Sequence, residues 1–87
     1  MLKVTSVRIE LAERTDSKLK AKATVEINNA FAIKDIRIVE GNSGLFVAMP
    51  SRKNNDGKYY DIVDIFSNDF KKELSNAILK AYEEKDV

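Results

Sequence analysis

Lys20-Ala21-Lys22-Ala23-Thr24-Val25-Glu26-Ile27 decides the fold. Apolar and polar residues alternate along it without a break. Ala21, Ala23, Val25 and Ile27 fall on one side of an extended chain, and Lys20, Lys22, Thr24 and Glu26 on the other. That is a strand with one buried and one wet face. Two of the inward residues are alanines, so whatever covers this face packs closely, and a helix is expected. Asn28-Asn29 follows as a turn signal, because Asn tolerates positive φ.

Working outward, Leu2 to Leu11 is also strand-like, but its apolar residues change parity. Leu2 and Val4 share one parity; Val7, Ile9 and Leu11 share the other. A strand changes faces only at an irregularity, which the spacing predicts near Thr5-Ser6. Glu13 to Lys18 reads as a hairpin loop. Ala30 to Glu40 repeats the parity change, with Phe31 and Ile33 against Ile36 and Ile38, and so predicts a second irregularity near Lys34-Asp35. Gly41-Asn42-Ser43-Gly44 is a turn. Leu45 to Met49 is uninterrupted and apolar, which predicts a strand covered on both faces. Pro50 ends it, because it lacks the ladder donor. Ser51 to Lys58 reads as a polar loop closing at Asn55-Asp56-Gly57, and Tyr59 to Ile65 as a last strand returning against Leu45 to Met49.

The period then changes. Phe70, Leu74, Ala77, Ile78, Ala81 and Tyr82 recur at helical spacing. Ser67 or Asn68 fits the N-cap, and Asp69 suits the positive end of the helix dipole. The helix is expected from about Asn68 to Glu84. These elements predict an α+β fold in a single domain: a small antiparallel, bulged sheet of about five strands over residues 1–66, then one C-terminal helix over residues 67–85.

Composition narrows the function. A chain of 87 residues forms one domain with a thin core, and oligomerisation is a usual supplement at that size. With no Cys and no His, disulfides, thiolate catalysis and imidazole chemistry are excluded. No apolar run is long enough for a membrane span. Strand-like sequence starts at Met1-Leu2-Lys3-Val4 without a leader-like segment. The expectation is a soluble cytoplasmic binding protein, not an enzyme, with no cofactor, no small-molecule substrate and no membrane partner. A net charge of +1 argues against a wholesale polyelectrolyte binder and leaves room for a local basic patch.

Arg52 and Lys53 follow Pro50 directly, and Lys58 lies at the far end of their loop. Arg offers a planar fork to two phosphate oxygens, and Lys a point charge. Lys71 and Lys72 sit at the start of the helix, where cations oppose the dipole, a placement that local stability does not explain. The five cations are the candidate nucleic-acid contacts, expected to gather on one positively charged surface completed by a second copy, against the plainer reading of a solvated surface. Lys20 and Lys22 serve more simply to keep a sheet face soluble. Tyr59 and Tyr60 could stack on unpaired bases. As neighbours on a strand they point oppositely, so one is expected in the core. Asp61, Asp64 and Asp69 lack the spacing of a metal loop. Gly41-Asn42-Ser43-Gly44 does not fit a P-loop.

Asp35-Ile36-Arg37-Ile38-Val39-Glu40-Gly41-Asn42-Ser43-Gly44-Leu45-Phe46-Val47-Ala48-Met49-Pro50-Ser51-Arg52-Lys53, with Asp56-Gly57 and Tyr60-Asp61-Ile62, resembles the stage V sporulation protein G family. So does the opening strand Val4-Thr5-Ser6-Val7-Arg8. These are small bacterial regulators associated with septation and sporulation. The resemblance implies a cytoplasmic homodimer joined through β-strands that binds DNA with sequence preference, and RNA in some members. The family's basic pair after MPS falls on Arg52 and Lys53, and a basic residue early in its helix on Lys71. The chain departs from the family at Asp64-Ile65, where many members carry His-Pro, at Lys71 for Arg, and at Phe70 for a small polar residue. The rival reading is a protein-interaction module in cell division or gene regulation that touches no nucleic acid.

Overall fold

The computed structural model describes residues 1–12 and 18–86. Six strands precede one helix: β1 (Val4–Leu11), β2 (Leu19–Ile27), β3 (Phe31–Gly41), β4 (Gly44–Ala48), β5 (Ser51–Lys53), β6 (Tyr59–Asp61) and α1 (Asn68–Asp86). The first four form an antiparallel sheet in the order β1-β2-β3-β4, while β5 and β6 form a separate two-stranded ribbon. The α+β architecture is as expected. The hairpin loop expected at Glu13 to Lys18 falls largely on residues 13–17, outside the described residues.

The inward stripe of β2 is the floor of the core. Ala21, Ala23, Val25 and Ile27 are each at most 2% exposed. Both expected irregularities are present. Val4 pairs with Ile27 and Ser6 with Glu26, so the extra residue in β1 is Thr5. In β3 the register slips between the Ile36–Ala23 and Ile33–Val25 pairs, and Asp35 there has φ 63°. Each bulge turns the strand by one residue. Val4 thereby joins Val7 and Ile9, and Ile33 joins Ile36 and Ile38, on the single buried face. Asn28 and Asn29 have φ 56° and 52°, the positive values that a tight two-residue hairpin needs at both central positions. A further register shift between Leu19 and Ala21 was not expected.

α1 lies across this face against β1, β2 and β4. Phe70, Leu74 and Ile78 form its buried stripe, with Ala81 and Tyr82 packed alongside. Ser67 is the N-cap: its Oγ accepts the Phe70 amide at 3.2 Å, and its carbonyl accepts the Lys71 amide at 3.0 Å. Two helix side chains hold the outer edge of β1. The Glu73 carboxylate accepts the Val4 amide at 3.2 Å, and Lys85 Nζ donates to the Ile9 carbonyl at 2.8 Å.

Two expectations are corrected. β4 is not covered on both faces; it is an edge strand on which Leu45 is 39% and Phe46 49% exposed. The returning strand does not pair with it. β6 is three residues long and pairs with β5, in the stretch read as loop. The reason lies at Pro50, which is buried and cannot extend the ladder, so the chain leaves the sheet there. The Pro50 carbonyl then accepts the Ile62 amide at 2.9 Å, and the ribbon grows from that point.

Candidate nucleic-acid interface

The ribbon is built from its turn and its root. At the turn, the Gly57 amide donates to the Asn54 carbonyl at 3.1 Å. Asn54 Oδ1 accepts the amides of Asp56 and Lys58, both at 3.0 Å, an Asx arrangement that holds the reversal. Gly57 has φ 81°, a conformation that costs glycine little. At the root, half-buried Arg37 reaches from β3. Its Nη2 donates to the Met49 carbonyl at 3.3 Å and to Ser51 Oγ at 3.2 Å. Arg37 thus fixes both sides of Pro50 to the sheet. Residue chemistry alone did not single it out, since its role follows from the pairing of β3 with β4, which seats Arg37 opposite Ala48.

Arg52 and Lys53 therefore stand on a strand, in the stretch expected to be a polar loop. Arg52 pairs with Tyr60 and Lys53 with Tyr59. Adjacent strand residues point to opposite faces, so the two cations diverge, and each shares its face with a tyrosine. Neither tyrosine is in the core: Tyr59 is 70% and Tyr60 48% exposed. The earlier expectation that one would be buried fails because, among the described residues, no further element packs broadly against the two-stranded ribbon. Lys58 follows the turn on the same ribbon.

Lys71 and Lys72 sit one turn into α1, on the side away from the buried stripe. They line a shallow concavity with Asn68, Ser75 and Asn76. Among the described residues, no hydrogen bond or ion pair links this helix start to the ribbon, so the cations form two sets on separate elements. Among the same residues, none of Arg52, Lys53, Lys58, Lys71 and Lys72 forms an ion pair with a carboxylate. Lys20 differs: its Nζ lies 3.2 Å from Glu40 Oε2, in keeping with a structural role on the sheet's wet face.

A bulged four-stranded sheet, a two-stranded cationic ribbon that follows it and a single helix over the sheet's face define a small α+β domain. The chain belongs to the SpoVG family, whose profile matches residues 2–84. It is 44% identical over 85 residues to the "Putative septation protein SpoVG" of Staphylococcus aureus strain JH9, covering 98% of this chain and 84% of that protein. The protein of the same name from Staphylococcus haemolyticus is similar to the same extent, at 44% identity over 85 residues.

Proposed function

We propose that the chain is a cytoplasmic, homodimeric nucleic-acid-binding regulator with a role in septation, and not an enzyme. The observation that carries this reading is the exposed ribbon, whose Arg52, Lys53 and Lys58 have no acid partner among the described residues. An unpaired guanidinium or ammonium on a rigid strand gains by replacing the counterions of a phosphate backbone. Lys71 and Lys72 supply a second set on α1, reached by a longer nucleic acid or from a second copy. The septation role follows from the name of the relatives.

A titration of labelled DNA and RNA across a salt series tests the reading. Arg52→Ala/Lys53→Ala should weaken binding. It should also flatten the dependence of log affinity on log salt by about 0.9 per lost phosphate contact on duplex and about 0.7 on a single strand. Unchanged affinity and slope would remove the ribbon from the interface.

One observation favours the rival, a protein-interaction module. The β4 edge, Gly44-Leu45-Phe46-Val47-Ala48, carries no charge and exposes Leu45 and Phe46. An open apolar edge is a template for another strand. A second copy satisfies it without excluding nucleic acid elsewhere. Self-pairing centred on Phe46 would set Leu45 opposite Val47.

A further inference from the structure

We propose that the β5–β6 ribbon is a stacking platform for unpaired bases, so that it takes single-stranded nucleic acid in preference to duplex. This rests on the nucleic-acid reading above and names its substrate class. Each face of the ribbon carries one cation and one aromatic ring in direct cross-strand register: Arg52 with Tyr60, and Lys53 with Tyr59. Both rings are open to solvent, at 48% and 70% exposure. Among the described residues, no hydrogen bond engages either phenol.

The combination has a specific chemistry. A ring presents a flat apolar face that any base can cover, while a cation beside it holds the adjoining phosphate. In a duplex the base faces are already stacked on one another, so an exposed tyrosine gains little there. The platform is also tied by hydrogen bonds at both ends before any ligand arrives. The Asn54 turn closes its tip, and Arg37, Pro50 and Ile62 fix its root. Little ordering cost remains to be met on binding.

The test uses the full chain with oligo(dT) and oligo(U) of about 20 nucleotides, long enough to span several stacking sites, and a mixed-sequence duplex of similar length. The chain has three tyrosines and no tryptophan, so tyrosine emission reports directly. Single strands should quench it and the duplex should not. Tyr59→Leu and Tyr60→Leu should each lower single-strand affinity by roughly 5- to 150-fold, leaving the salt slope and duplex binding unchanged, while Tyr59→Phe retains wild-type behaviour. The quenching of the unaltered chain decides the matter even if a Leu variant fails to fold. Leu variants that bind single strands like wild type, with Arg52→Ala/Lys53→Ala still flattening the salt slope, would overturn stacking and leave the parent reading standing. A wild-type chain that binds neither form would sink both. Emission that changes with protein concentration alone would assign the tyrosine faces to a second copy and overturn the proposal.

Discussion

Ala23 is 2% exposed on the strand that α1 crosses, opposite Ile9 on one side and Ile36 on the other. Its smallness is what lets helix and sheet close on each other. Ala23→Leu should therefore destabilise the chain by about 1–3 kcal/mol through overpacking, measured as a fall in the urea midpoint with an unchanged m-value. At this scale much was legible in the sequence. The parity breaks at Thr5 and at Lys34-Asp35 announced the bulges, because an apolar residue on the wrong side of a strand must be turned back. The break beside Lys20 stayed hidden, since Leu19 has the same parity as Ala21 and the pattern looks regular through it. The two tyrosines were misjudged for a related reason. Alternation tells which residues share a face, but not whether anything lies over that face.

The elements divide the same way. β1, β2, β3 and α1 were readable because each is long and strongly patterned, and the cap at Ser67 lies where its side-chain chemistry puts it. The ribbon was not readable. Its strands are three residues each, too short for a period, and their partnership depends on a half-buried arginine from another element. Arg37→Ala should lower stability by about 1–2 kcal/mol, because it leaves the Met49 carbonyl and Ser51 without their charged donor. The damage should be local. Amide exchange at Ile62, which bonds to the Pro50 carbonyl, should accelerate markedly, while amides in β2 keep their protection. Equal acceleration in both places would mean that Arg37 supports the whole domain and not the ribbon root. The candidate site follows the elements: its cations were visible from charge, and their divergence onto two faces was not, because it requires a strand where the sequence reads as loop.

For the whole molecule, the contrast between the two edges of the sheet matters most. β1 is held at Val4 by Glu73 and at Ile9 by Lys85, whereas β4 stands open with Leu45 and Phe46 exposed. If a second copy pairs along β4, a charge at its centre should prevent it. Phe46→Lys should shift the species seen by sedimentation from two chains to one at micromolar concentration, with secondary structure retained. An unchanged mass would place the partner surface elsewhere. Tolerance of the substitution is expected, because Phe46 projects from the wet side and contributes nothing to the buried face. The asymmetry between edges carries a further consequence. A sheet with one rim partly occupied in this way is extended more readily in the other direction. Once a neighbour lies along the bare rim, a third would meet an edge whose Val4 amide and Ile9 carbonyl are already taken. In such an assembly two side chains of the helix would hinder polymerisation, at the opposite end of the sheet from where pairing would start.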